Sequence, residues 1–172
     1  MSARFFGFEV AAQRQCSNLN LRMKKIPSVI TGVAGEYFVA AELSRRGYIA
    51  SISLRNTRGI DIPATNEDSS RSITIQCKTQ QRDHKDWILH EKCEDFVSET
   101  HFYVFVKLGG ELERPRFYVV PSCDVAKHAS AFHKAWLQTP GREGRKHVDN
   151  AMRKFSDLEG KYLDKWELLG LG

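Results

Sequence analysis

The chain has 172 residues, enough for one domain that buries its own core without disulfides or a structural metal. An apolar share of 41% and a charged share of 27% exclude a mainly disordered chain, and no apolar run approaches the ~18 residues of a membrane-spanning helix. The net charge of +5 favours a polyanionic partner without naming one. Residues 1–27 mix apolar and polar side chains without a period and read as a mobile N-terminal extension, with Met23 as an alternative start. Residues 28–47 carry Val29, Ile30, Val33, Ala34, Tyr37, Phe38 and Ala41 at three-to-four spacing. That pattern predicts a helix, with Arg45 and Arg46 in its last turn and Gly47 as its stop.

Residues 48–54 and 60–64 read as strands, with a turn at Thr57-Arg58-Gly59 between them. A polar turn at 66–71 leads into the clearest strand, 72–79, where Ile73 and Ile75 alternate with Thr74 and Gln76. A charged loop covers 80–86. Residues 87–90 read as a short strand and 91–98 as a short helix. Residues 101–108 form a buried-looking strand, turned by Gly109-Gly110 into a further strand at 116–121. The period becomes helical over 122–137, with Ser122 as N-cap. A basic loop spans 141–147, and residues 150–169 read as one or two amphipathic helices. The order predicts an α/β fold, a mixed central sheet flanked by helices, with a core over 28–121 and a C-terminal helical part over 122–172 packed on it.

Cys16, Cys77, Cys93 and Cys123 form no CxxC or CxxH pair, which argues against a zinc ribbon or a thioredoxin-like site. Scattered thiols and the lack of a secretory signal place the expected location in the cytoplasm.

Alternation of side chains along a strand singles out one polar patch. In 72–79, Ile73, Ile75 and Cys77 share the core face, so Thr74, Gln76 and Lys78 share the other. In Ile60-Asp61-Ile62 the isoleucines take the core face and Asp61 the opposite one. If the two strands pair around the 66–71 turn, Asp61 falls opposite Gln76, and Lys78 falls opposite Gly59, diagonal to Asp61. A hard divalent cation takes oxygen ligands. Asp61 offers a charged one, Gln76 a side-chain carbonyl and Cys77 a backbone carbonyl. Lys78 can orient an attacking water or offset charge growing on a phosphate. Glu36 lies on the face of the first helix that carries Val29, Gly32, Val33, Ala40 and Leu43, where a carboxylate is expensive unless paired or bound to metal.

The segment from Gly35-Glu36-Tyr37 to Leu43, then Gly59-Ile60-Asp61, then Ile75-Gln76-Cys77-Lys78 resembles the core of the PD-(D/E)XK nuclease superfamily. That group includes restriction endonucleases and Holliday junction resolvases. The resemblance covers roughly residues 28–108 and implies a restriction-endonuclease-like αβββαβ core with a metal at the sheet. It implies Mg²⁺ or Mn²⁺ ligation by Asp61 with Glu36 assisting, and catalysis by Lys78. Gln76 stands where most members carry Glu, as in Mrr-type enzymes, which removes one negative charge from the site.

Arg55 and Arg58 before the patch, and Arg82 and Lys85 after it, are expected phosphate contacts, as are Arg142, Arg145 and Lys146 in the basic loop. His84 reads as an ordinary exposed loop histidine, and His128, Phe132, His133 and Trp136 as a packed helix edge. Neither a P-loop nor a GxSxG motif is present. The expected function is a Mg²⁺-dependent endonuclease acting on DNA, for which a symmetric homodimer would suit double-strand cutting or a junction. The alternative is a catalytically silent nucleic-acid-binding or assembly module on the same fold. An RNA substrate is a third option.

Overall fold

The computed structural model describes residues 25–54, 59–81, 84–110 and 112–172. The expected extension at 1–27 lies outside the described residues up to position 24. Helix α1 (Ser28–Arg45) is followed by strands β1 (Ile49–Ala50), β2 (Ile62–Thr65), β3 (Ser72–Gln80), β4 (Trp87–His90), β5 (His101–Lys107) and β6 (Arg116–Pro121). Helix α2 (Ser122–Gln138) and strand β7 (Met152–Phe155) complete the regular elements. The main sheet has the order β1-β2-β3-β5-β6, and β4 pairs with β7 in a separate ribbon.

The β1-β2-β3 meander is antiparallel, β5 joins β3 in parallel, and β6 returns antiparallel to β5. Helix, meander and parallel strand come in the order expected of a restriction-endonuclease-like core, with one difference. Between β3 and β5 the crossover carries β4 and a single 3-10 turn, Glu91–Cys93, where a helix was expected. A parallel strand needs only a connection long enough to return, and β4 with this turn supplies it.

The sheet buries both faces around β5, whose residues are buried from His101 to Val106. Phe102, Val104 and Val106 join Ile62, Ile73, Ile75 and Cys77 against Val39 and Leu43 of α1 and against Trp166, Leu169 and Leu171 near the C-terminus. Tyr103 and Phe105 face the other way, against Trp87, Leu89 and Phe155 of the ribbon and Val125 and Ala129 of α2. Two expectations change here. Residues 150–169 were expected to be helical, but they form β7 and a 3-10 turn, Trp166–Leu169, because Met152–Phe155 satisfies its backbone by pairing with β4. Ser122 does not cap α2; its hydroxyl donates to the Ser98 carbonyl at 2.8 Å and accepts the Ser98 N–H at 3.0 Å.

Helix α1 meets the sheet through a face of smaller side chains than its spacing suggests. The buried positions are Thr31, Gly35, Val39 and Leu43. Val29, Ile30, Tyr37 and Phe38 of the expected core stripe are exposed instead. Gly35 sets the distance. A Cβ there would lie 1.8 Å from Thr79 Oγ1, so only glycine lets the helix come this close to β3. Gly47, at φ +84°, turns the chain out of the helix. Among the described residues no helix is long and apolar enough to cross a membrane.

The close approach gives a test by contrast. Gly35→Val should lift α1 from β3 and destabilise the fold by about 1–3 kcal/mol. Gly32→Ala, which meets nothing within 4 Å, should leave the thermal midpoint equal or higher. Differential scanning calorimetry of both variants checks this.

Candidate active site

The polar patch forms where β2 and β3 part. Their pairing sets Ile62 against Ile75, Pro63 against Thr74, Ala64 against Ile73 and Thr65 against Ser72, which is the expected register. Ladder pairing stops at Ile62, and Asp61 stands at the fork. Its N–H still donates to the Ile75 carbonyl at 2.9 Å, while its Oδ2 accepts the Cys77 N–H at 2.7 Å. The carboxylate thus takes the place of a backbone carbonyl as the next acceptor. In an extended strand the N–H and C=O of one residue point to the same side, so the Cys77 carbonyl also faces this gap.

Gln76 and Lys78 alternate with the buried Ile75 and Cys77 and are half-buried on the opposite face, in register with Tyr103 and Phe105 of β5. That face is covered over β5 by the ribbon but opens beside β3. The opening is a cleft of about 610 Å³ lined by Gln76, Lys78, Leu89, Lys92 and Phe96. Gly59, at φ +66°, sits at its mouth, and a Cβ there would lie 4.0 Å from Gln76 Nε2. Gly59 therefore stands by the tip of the Gln76 side chain, and it lines the cleft together with Lys78.

Electrostatics tie the two layers together. Burial pushes the Cys77 thiol up to about 12, and the negative charges of Asp61 and Glu36 add to the effect while Lys78 opposes it. Glu36 therefore acts on the same strand position as Asp61 and Lys78, although it comes from the helix layer. Its half-buried place follows from its neighbour Gly35, which presses against Thr79. Glu42 serves the helix end instead, where Arg45 at 3.0 Å, Arg46 and Arg114 at 3.1 Å clamp it. Burial also raises Tyr103, helped by the charges of Cys93 and Asp61.

Donor chemistry at the fork fits a hard divalent cation. Asp61 keeps one oxygen beyond the bond to Cys77, Gln76 adds a neutral side-chain oxygen and the Cys77 carbonyl a backbone one. Among the described residues no three of His, Cys, Asp and Glu come together as a metal cluster. A site with one or two carboxylates and neutral oxygens suits Mg²⁺, which keeps several waters, better than a cage-bound transition metal.

Of the expected phosphate contacts, Arg55, Arg58 and Arg82 lie outside the described residues. Lys85 shares with Lys78 a second cleft, of about 540 Å³, that also takes in Gln80 and His84. Arg142, Arg145 and Lys146 are exposed on the loop after α2 and line neither cleft; Arg145 pairs with Glu143 at 3.0 Å. Lys92 and Phe96 were absent from the sequence-based reading. Their segment carries too weak a period to place it, and its pairing through β4 brings it into the cleft that Gln76 also lines.

Beneath Phe96 lies His101, 2% exposed, its Nδ1 2.9 Å from Thr74 Oγ1 and its Nε2 without a partner. Burial holds the imidazole down at about 4, against its ordinary 6.5. Between those values the unfolded chain takes up a proton that the folded chain refuses. The stability this adds is present in full above pH 6.5 and is lost as pH falls toward 4. Thermal melts of the wild type should shift down over this window, and His101→Phe should flatten that dependence.

Compared with solved structures, the chain is similar to a bacterial homing endonuclease, with 13% identity, a TM-score of 0.49, and 85% of this chain and 94% of that one covered. It is also similar to Hjc, a Holliday junction resolvase from the archaeal hyperthermophile Archaeoglobus fulgidus. There the identity is 15% and the TM-score 0.46, with 82% and 97% covered. No protein-family model matches the chain, and neither does a curated protein.

Proposed function

We propose that this chain is a metal-dependent endonuclease that hydrolyses DNA phosphodiester bonds. The observation that carries the reading is the Asp61–Cys77 hydrogen bond, which holds a carboxylate at the fork beside Gln76, Cys77 and Lys78. Mg²⁺ or Mn²⁺, when bound, would polarise the phosphodiester and lower the pKa of a bound water. Asp61 would hold the ion through its remaining oxygen, with the Gln76 side chain and the Cys77 carbonyl as neutral partners and Glu36 as the second carboxylate. Lys78 would orient the attacking water and offset charge on the phosphate. Lys85, Arg142, Arg145 and Lys146 would contact the backbone of the duplex.

The variants separate chemistry from folding. Asp61→Asn keeps an acceptor for the Cys77 N–H but loses the charge. It should fold as the wild type does and cut supercoiled plasmid at least about 100-fold more slowly with Mg²⁺, as should Lys78→Ala. Gln76→Glu should lower the Mg²⁺ concentration needed for half-maximal rate, since it returns a charge to the site. EDTA should stop the reaction, and competition with RNA reports the sugar preference. A wild-type chain that binds DNA but cuts it with neither metal would instead be the silent binding module, a reading favoured by Gln76 and the absence of a three-acid cluster among the described residues.

The enzyme is also proposed to work as a two-fold pair through the outer face of α1. Val29, Ile30, Tyr37 and Phe38 are 58, 57, 65 and 44% exposed on that face. No Lys or Arg falls within 28–44, so this surface is unsuited to a phosphate backbone. These side chains leave about 400 Å² uncovered, and two such faces together approach the ~1,000 Å² of a specific contact. A two-fold contact would set the same face of each copy against the other. Light scattering at micromolar concentration should give twice 19.7 kDa, and the pair Ile30→Glu and Tyr37→Glu should return the single-chain mass. A wild-type chain that is monomeric under these conditions would refute the pairing.

A further inference from the structure

The cleft beside the polar patch has features that phosphate binding alone does not require. Leu89, Phe96 and Tyr103 give it apolar surface, and Lys78 and Lys92 both line it. At about 610 Å³ it is within the range of a small-molecule site. The base stack of an intact duplex cannot enter a cleft of that size, whereas a single nucleotide turned out of the stack can.

Phe96 gives the cleft a fixed flat face. Phe96 is 42% exposed, which leaves its side chain open to a stacking partner. Yet its position is set from two sides. His101 stands edge-on to it, with ring centroids 4.4 Å apart and planes at 65°, and a Cβ at Gly59 would approach within 3.5 Å of it. His101 is in turn anchored through Thr74. His90 sits at the same opening, its Nδ1 accepting the Lys92 N–H at 3.3 Å. A part-exposed aromatic ring in a cleft that also holds two lysines matches the needs of a nucleobase: a stacking surface for the ring and a positive charge for its phosphate.

We propose that this cleft receives one unpaired nucleobase of the substrate, stacked on Phe96 and with Lys92 on its phosphate. DNA with an unpaired nucleotide beside the fork is then the preferred ligand over continuous duplex. The proposal rests on the DNA reading given above.

Fluorescence anisotropy of the full chain in EDTA, which prevents cutting, tests it on two short duplexes that differ by one extra unpaired thymine. The wild type should bind the bulged duplex about tenfold more tightly. Phe96→Leu keeps apolar contact with His101 but removes the flat face, and should bring the affinity ratio close to one. Phe96→Trp should keep the ratio or raise it. Equal binding of the two duplexes by the wild type, or a preference that survives Phe96→Leu, overturns the proposal. The plasmid assay separates its failure from that of the nuclease reading. Cutting without a bulge preference leaves the nuclease and removes the cleft proposal. A Phe96-dependent preference without cutting by either metal does the reverse.

Discussion

The hydrogen bond from the Cys77 N–H to the Asp61 carboxylate, 2.7 Å long, decides where the sheet ends and where its chemistry can begin. A backbone N–H inside a protein needs an acceptor. Here β2 has already left its ladder with β3, so a side chain supplies one. The bond fixes one carboxylate oxygen and leaves the other at the fork. It also holds the acid on β3, the strand paired to β2 on one side and to β5 along seven residues on the other. A site on a strand held from both sides keeps its geometry better than one on a loop.

The two faces of β3 divide the work. On one, Ile73, Ile75 and Cys77 pack under α1, and Gly35 brings that helix in until its neighbour Glu36 affects the same buried thiol as Asp61. On the other, Gln76 and Lys78 look into the cleft formed by the β4 segment. Because α1 carries both Glu36 and Glu42, the contrast between them is informative. Glu42 is bound by three arginine side chains and stabilises the helix end, whereas Glu36 adds its charge to the field at the Cys77 thiol.

Sequence alone was most reliable where the period is two. The alternation of Ile73, Ile75 and Cys77 against Gln76 and Lys78, with a polar turn before it, admits one register, since a slip would bury Asp61. It was least reliable where apolar residues surround an element. Helix α1 is apolar on both sides, and the larger stripe of Val29, Tyr37 and Phe38 drew the expectation away from the true contact face, which is made of Thr31, Gly35, Val39 and Leu43. Close packing selects small residues, which hydropathy spacing underweights. Met152–Phe155 reads as helical for a similar reason: it has no β-branched side chain, and only its partner β4, some sixty residues earlier, makes it a strand.

In the proposed reaction, Gln76 in place of a carboxylate would shift the burden of holding an ion. With Asp61 as the acid bonded at the fork and Glu36 as a second acid near Cys77, the protein would supply little negative charge of its own. Mg²⁺ in such surroundings is completed by water and by substrate phosphate oxygens. In the proposed reaction, metal and DNA would then bind together rather than in sequence, each raising the affinity for the other by the same factor. A chain of net charge +5 is suited to such coupling, because its long-range field draws in the polyanion whose phosphate oxygens would complete the ion's ligands.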